Sequence, residues 1–573
     1  MTVRAQILFL ILASLAVFYP AFSAEICAID DTQLFTSLEK SSYSNPLQTF
    51  VRKGSSTLYY RPILGVSFWV DKNVFLINPF WMHLENVLFH LISILLIFFI
   101  ARLLFTENKT QPNYFPLFTA LLWGLHPLTT ESVNWISGRT DLLAGMFIFG
   151  ATLLILHYRK SQRKTYLLFA AIASLLAMLS KEVAVAFIPG AVLILFALPV
   201  STQTNSKSSN NRLFILFATL AATIPLALFF MIRTGATISN SSRIGLTLQY
   251  MDINPVHSLM LFCRALGFYI KKIFFPWPLN FAILEVDPLY DLLAIPIVIL
   301  CIWLLWNRSL LAAFFLTGII LLTPSFLIVL NQIAWTSFAE RYVYISMAFI
   351  FLSIVGIFAR NPSQKYQSIC RPLMAILLIA ISYSTYQRGI IWHSNLKILE
   401  DTSIKSPYSK TIHWVYGAVL SKNGDHEKAL EVTKMACSLQ SPPLMKDHTA
   451  EINLGSIYFN LARYDEALHT FKETAEKSDY KYVPALDGLL VTYQQLTRET
   501  NNPDERESYY KEAEKSGTLL YKIKKDPFIW YNLGKLSLEL KETQQAKEYF
   551  TMAYEAFADD SPYKTYAKKL SQK

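Results

Sequence analysis

Between Ile7 and Arg388 the chain is divided into eleven mostly apolar runs, at 7–22, 82–105, 115–130, 140–157, 165–180, 182–198, 212–233, 289–306, 310–330, 341–359 and 372–388. A bilayer core takes a helix of roughly 20 such residues, and a backbone in lipid must satisfy its own hydrogen bonds. The fold predicted is therefore all-α, a polytopic membrane protein of about eleven transmembrane helices over residues 1–398, followed by a different region at 399–573. Composition agrees: 53% of the 573 residues are hydrophobic and 16% charged, against roughly 25% charged in soluble chains. Residues 1–398 hold 28 Lys and Arg against 15 Asp and Glu, and residues 399–573 hold 24 against 26. The positive balance belongs to the apolar region, where it sits in short loops, so it is no nucleic-acid signal. A wholly soluble enzyme, a disordered scaffold and a disulfide-rich secreted domain are excluded. The five cysteines (27, 263, 301, 370 and 437) are scattered without metal-ligand spacing, which argues against a zinc site.

Loop charge orients the runs. If 257–276, which carries Arg264, Lys271 and Lys272, lies in the interface rather than spanning, thirteen cations fall in inner loops with one acid, Glu107. These are Arg4, Arg102, Lys109, Arg159, Lys160, Arg163, Lys164, Lys207, Arg212, Arg308, Arg360, Lys365 and Arg371. The N-terminus is then cytoplasmic and the C-terminal region external. The first run resembles a secretory signal with a tolerable site at Ala21-Phe-Ser-Ala24, but it is read as an uncleaved helix. Two long external segments result, 24–81 and 234–288; loops of this length are usually functional.

From about residue 411 the pattern changes to amphipathic helix pairs. Gly417 and Ala429, Gly455 and Ala467, and Gly534 and Ala546 are each twelve apart. A degenerate unit lies around Ala485–Tyr493, followed by an insertion at 500–507. This is the tetratricopeptide pattern of one helical hairpin per ~34 residues. Three or four repeats are expected, without an obvious capping helix before Lys573. Such a solenoid offers a concave surface for a protein or peptide.

Charge near the bilayer is costly, so every ionisable group there is a functional candidate. Asp30-Asp31 opens the first external loop; two adjacent carboxylates suit a base or a metal, and equally a helix cap before Thr32-Gln-Leu34. Arg61 follows in Tyr59-Tyr-Arg-Pro62. His83, Asn86 and His90 share one helical face and read as interhelical hydrogen-bonding groups. The densest stretch joins two runs: Trp123-Gly-Leu-His126-Pro-Leu-Thr-Thr-Glu131-Ser-Val-Asn134-Trp-Ile-Ser-Gly138-Arg139-Thr-Asp141. The planar fork of Arg suits a phosphate, although Arg139 and Asp141 could neutralise each other. Lys181-Glu182 and Glu340-Arg341 are further charged pairs, open to reading as structural ion pairs.

Taken in order, Asp30-Asp31, Tyr60-Arg-Pro62, His83-Leu-Glu-Asn86, His126-Pro…Thr130-Glu-Ser-Val…Trp135-Ile…Gly138-Arg-Thr-Asp141-Leu-Leu, Leu179-Ser-Lys-Glu182, Ala339-Glu-Arg-Tyr342 and Arg388…Trp392 resemble the transmembrane and tetratricopeptide-repeat-containing protein O-mannosyltransferases. The resemblance covers nearly the whole chain; the short repeat array looks more like a bacterial member. It implies a GT-C topology, a lipid-phosphate-linked sugar donor and a catalytic acid in the first external loop. On that footing Asp30 or Asp31 is the base and Glu131 a second acid near the acceptor. Arg139, Lys181 and Arg341 face the donor phosphate, and His126, Arg61, Asp141 and Glu340 bind substrate. No cofactor or metal site is assigned, and a divalent metal stays open.

The function this implies is an inverting membrane glycosyltransferase that moves a sugar, such as mannose, from a polyprenyl or dolichyl phosphate to a hydroxyl of a protein acceptor. The acceptor is recruited by the repeats, with membrane lipids as further partners and no nucleic acid. The expected place is a bacterial inner membrane with the C-terminal region in the periplasm, the alternative being the endoplasmic reticulum with that region in the lumen. One competing reading is a transferase or ligase of lipid-linked oligosaccharide. Another is a non-enzymatic lipid or polysaccharide transporter, disfavoured because no pseudo-symmetric halves are visible and the polar clusters gather at one face.

Overall fold

A proline in the first turn, whose missing N–H costs a helix nothing there, starts helices at Pro62, Pro255, Pro503, Pro527 and Pro562. Inside the apolar helices Pro296, Pro324 and Pro372 are accommodated without ending them, as neighbouring helices in a membrane protein allow. The computed structural model describes all residues except 41–44, 51–59, 106–113, 198–222, 233–253, 332–333, 361–363, 441–447 and 573. The run 212–233 is thus described from Thr223, the long loop 234–288 from Asn254, and Lys109, Lys207 and Arg212 lie outside the described residues. The architecture is helical throughout; among the described residues the only β feature is an isolated bridge between Ile283 and Phe338. Contacts divide the chain into two compact units, Met1–Ser406 and a second unit that begins at Pro407 and runs on to the C-terminal helices.

In the first unit, six helices are long and apolar enough to cross a membrane: Pro79–Phe105, Ile136–Ser161, Tyr290–Asn307, Leu310–Leu330, Glu340–Arg360 and Cys370–Trp392. Five shorter apolar helices, Val3–Val17, Phe115–Gly124, Lys164–Ser180, Glu182–Phe196 and Thr223–Ile232, occupy the other five runs. The count of eleven spans rests on these five, which hold 10–17 described residues each, against roughly 20 for a span. Small residues bring helices close. A Cβ on Gly145 would meet the Tyr344 ring at 2.9 Å, and one on Gly318 would meet the Ser346 carbonyl at 2.9 Å.

Tight links reverse the chain at Gln162 and Arg308, both in the left-handed region (φ 57° and 50°), and such short connections make antiparallel neighbours. Arg159, Lys160, Arg163 and Arg308 thereby share one end of the bundle. The opposite end carries Asp31, Glu131, Arg139, Asp141, Lys181, Glu182, Glu340 and Arg341. The helix Pro255–Phe274 packs against Tyr290–Asn307 and reaches Leu310–Asn331. Arg264 makes a two-pronged pair with Asp291, at 3.1 and 3.0 Å. Phe262 meets Phe326, Phe268 meets Phe338, and Lys272 meets Glu340. Gly267 permits this packing, for a Cβ there would sit 2.0 Å from the Tyr290 carbonyl oxygen.

The helix Asn395–Lys405 is held in this unit by Lys405 to the Leu279 carbonyl at 2.8 Å, by Arg388–Asp401 at 2.6 Å and by Asn395 to the Ala28 N–H at 2.8 Å. The break in contacts consequently falls after Ser406, eight residues beyond the boundary expected from charge balance.

The second unit is four antiparallel helix pairs followed by one more helix: Lys410–Lys422 with His426–Ser438, Thr449–Asn460 with Tyr464–Lys477, Val483–Glu499 with Pro503–Lys524, Pro527–Glu539 with Thr543–Ala556, then Pro562–Ser571. Gly455 sits under the Phe471 ring and Gly534 under the Phe550 ring, where a Cβ would meet ring carbons at 2.5 and 3.0 Å. In the degenerate third pair the small residues serve its neighbours instead, Gly488 meeting Phe471 and Gly517 meeting Leu533. The expectation that no helix caps the array is corrected. Pro562–Ser571 packs through Tyr563 on Phe528, Tyr531 and Phe557; with one small aromatic face on a lysine-rich helix, its pattern is faint in sequence.

Candidate active site

The two first-loop carboxylates part company. Ile29 accepts a hydrogen bond from the Asp31 N–H at 2.8 Å around Asp30, whose φ is +64°. This is a γ-turn of the strained kind, tolerated best by Asx residues. It turns Asp30 to an exposed position and Asp31 inward, with no exposed surface. Asp31 Oδ1 accepts from the Ser137 N–H at 2.9 Å and from its hydroxyl at 2.5 Å, and Oδ2 accepts from the Cys27 N–H at 3.3 Å. Burial pushes its carboxyl up to about 7, against the lowering effect of the Ser137 hydrogen bonds. Asp31 therefore ties the first loop to the Ile136–Gly138 turn.

Trp135 lies between this loop and the next charges. Its indole N–H donates to the Ile29 carbonyl at 3.2 Å, and the Arg341 guanidinium lies over its ring, 4.9 Å from the centroid. Arg341 pairs with Glu131 through its side chain and donates its backbone N–H to the same carboxylate at 3.0 Å. Burial raises the Glu131 carboxyl, while Arg341 opposes that shift. Tyr342 joins Arg341 to the next cation: Arg341 lies 5.0 Å and Lys181 5.9 Å from its ring centroid. Lys181 pairs with Asp141 at 2.6 Å. Burial lowers the ammonium, Asp141 offsets this, and the nearby charges of Arg61 and Arg341 lower it further. Arg61 grips Glu182 at 2.8 and 3.0 Å. Arg61, Lys181 and Arg341 thus form one cationic neighbourhood, each with its own carboxylate. The Asp141 Oδ2 is buried without a hydrogen-bond partner.

Two expected pairings come out differently. Arg139 and Asp141 do not neutralise each other, because Arg139 pairs with Asp71 and Glu85. Lys181 and Glu182 turn to Asp141 and Arg61 instead of each other. Arg139, expected at the donor phosphate, has no exposed surface. It donates to Asn86 at 2.9 Å, the Met82 carbonyl at 3.0 Å and Ser67 at 3.3 Å, and it lies 4.8 Å from the Phe68 centroid. A guanidinium enclosed in this way pins the start of its helix and presents no face to a ligand. His126, expected against substrate, is buried; its Nδ1 accepts from the Leu128 N–H at 3.3 Å and it lies 5.7 Å from Phe351. That hydrogen bond makes it a cap for the Pro127–Thr129 turn. Glu340 faces Lys272 at 2.6 Å and the Asn280 N–H at 2.9 Å. Sequence reasoning missed Asp71, Trp135 and Lys272; the first sat in an ordinary-looking Val-Asp-Lys step, the second was noted only as part of the motif, and the third was taken as an interfacial charge.

Asn86 and His90 do bridge helices, Asn86 to the Val133 and Trp135 carbonyls and His90 to the Tyr344 hydroxyl and the Gly124 carbonyl. Among the described residues, no group of three or more His, Cys, Asp or Glu side chains converges on a point where a metal ion would be held.

Residues 66–231 match the model of the dolichyl-phosphate-mannose-protein mannosyltransferases, and residues 452–474 and 529–560 match the tetratricopeptide repeat. The chain is similar to proteins named as protein O-mannosyl-transferases. Protein O-mannosyl-transferase F38B6.6 of Caenorhabditis elegans is 24% identical over 383 residues, 65% of this chain and 53% of its own length. Protein O-mannosyl-transferase Tmtc3 of Drosophila melanogaster is 24% identical over 497 residues, 73% of this chain and 52% of its own. Protein O-mannosyl-transferase TMTC1 of Mus musculus reaches 37% over 106 residues, 18% of this chain and 10% of its own. The chain spans about half the length of the first two relatives. The mannosyltransferase match takes in Arg139, Lys181 and Glu131 but begins beyond Asp30 and ends before Arg341.

Proposed function

We propose that the chain is a membrane glycosyltransferase that moves a mannosyl group from a lipid-phosphate carrier to a hydroxyl of a protein acceptor. The observation that carries the reading is the joint made by Trp135, which sets the exposed Asp30 turn beside the Arg341–Glu131 pair. In this reading Asp30 takes the proton of the acceptor hydroxyl as its oxygen attacks the anomeric carbon. The bond from that carbon to the phosphate oxygen breaks, with inversion, and the lipid phosphate leaves with the electron pair. Arg341 and Lys181, with Arg61 behind them, stabilise the phosphate charge that grows in the transition state. No strong general acid is needed, because a phosphate is a competent leaving group. Asp31 positions the Asp30 turn, and Arg139 and His126 hold the scaffold. The inward bias of loop cations supports placing this end, and the repeat unit, on the external side of the membrane.

The test is a donor screen with the purified chain in lipid nanodiscs, offering dolichyl-phosphate mannose, GDP-mannose and a polyprenyl-diphosphate oligosaccharide. Transfer from the lipid-phosphate mannose, lost in Asp30→Asn, is expected. Transfer from the diphosphate oligosaccharide alone would replace this reading with an oligosaccharide transferase.

A further inference from the structure

Arg341 sits in the 3-10 turn Glu340–Val343 that opens its helix, directly after the extended residue Ala339 (φ −121°, ψ 140°), and a second segment, 276–283, holds this turn from the side. Phe338 N–H donates to the Ile283 carbonyl at 2.9 Å, and the Ile283 N–H donates to the Thr336 hydroxyl at 2.9 Å. Asn280 N–H donates to Glu340 Oε1 at 2.9 Å. Lys272, 3% exposed, donates to the same Glu340 oxygen at 2.6 Å, to the Pro276 carbonyl at 3.0 Å and to the Pro278 carbonyl. The other edge of the strap is fastened as well. Asn280 Nδ2 donates to the Ser406 hydroxyl at 2.8 Å, and that hydroxyl donates to the Ala282 carbonyl.

We infer that Lys272 and Asn280 are positioning residues for Arg341, acting through Glu340 to keep the guanidinium on Glu131 and Trp135, where a lipid phosphate meets it. The inference rests on the reading of Arg341 as a phosphate-binding group. Its physical core is a charge sequence. Glu340 lies close enough to Glu131 to raise that carboxyl, so two buried acids compete for one guanidinium. Lys272 settles the competition by neutralising Glu340. Without Lys272, Glu340 keeps a buried charge with no paired cation, a costly state that draws on the cations around it; these are Lys271, which feels the Glu340 charge, and its chain neighbour Arg341. Removing the Glu340 charge at the same time removes the competitor, while the glutamine carbonyl still accepts from the Asn280 N–H.

The experiment measures binding of dolichyl phosphate to the full chain in nanodiscs, with thermal unfolding to verify each variant. Arg341→Ala and Lys272→Met should each weaken binding about tenfold, within the range shown by coupled neighbours. Lys272→Arg should bind as the unaltered chain does, and Lys272→Met/Glu340→Gln should recover to within about threefold. Recovery of binding by removing a second charge is a result that a merely structural lysine would not give. If Arg341→Ala binds dolichyl phosphate normally, the phosphate role of Arg341 falls and this inference with it. If Arg341→Ala binds weakly while Lys272→Met binds normally, or the double variant is no better than Lys272→Met, the inference alone falls.

Discussion

At Asp31 the carboxylate is enclosed by Ser137 and Cys27, while the Asp30 side chain stands exposed on a left-handed turn. Asp30→Asn should therefore lower turnover by about 100- to 10,000-fold, the usual worth of a general base, with binding of dolichyl phosphate kept. Asp31→Asn tests the other role through pH. Its folded carboxyl titrates near 7, raised by burial from an ordinary 3.8, so the folded state holds the proton more tightly. The stability it contributes is complete below about pH 4 and is lost as pH rises through 7. The unfolding temperature of the unaltered chain should fall between about pH 4 and 7 relative to Asp31→Asn, and parallel profiles would remove the buried carboxyl from the account. Arg139→Ala strands Asp71 and Glu85, a loss of about 3–5 kcal/mol when one partner of a buried pair is removed. The expected result is a poorly folded protein, read as lost monodisperse material in size-exclusion chromatography, rather than a folded one with weak donor binding. Candidate residues were visible in the sequence because charge beside an apolar run is expensive. Their partners were not, since Arg139 finds Asp71 68 residues back and Glu131 finds Arg341 210 residues ahead.

Helices were legible wherever a single run of apolar residues or a repeated small-residue spacing fixed them. The gap from Gly455 to Phe471 and from Gly534 to Phe550 is the same sixteen residues, and both rings lie on their glycine. The third hairpin was faint because its glycines face neighbouring hairpins. The helix Pro255–Phe274 was singled out by its cations, and its packing on Tyr290–Asn307 is fastened by Arg264–Asp291 and allowed by Gly267. A methyl group at Gly267 would press on the Tyr290 carbonyl. Gly267→Ala should cost about 1–3 kcal/mol, the usual effect of overpacking, visible as a lower unfolding temperature. An unchanged midpoint would mean that the two helices part easily.

At the level of the whole chain, the second unit carries its own helix pairs and its own capping helix, and its ion pairs are mostly exposed. Removing residues 411–573 should leave donor hydrolysis and transfer to a small acceptor measurable while reducing transfer to protein. Loss of both, with the membrane unit still folded, would place the repeats in the chemical centre. The order in which the pairs can form has a bearing on how the protein is made. Glu131 leaves the ribosome long before Arg341; at 5–20 residues per second the 210 residues between them take roughly 10–40 s. During that interval the acid has no guanidinium to meet, and Asp71 waits likewise for Arg139. A nascent chain thus holds an unfinished polar end until the segment around 340 arrives. Biogenesis itself delays the assembly of a reactive centre, and any factor that shields unpaired acids during insertion would have its longest task at Glu131.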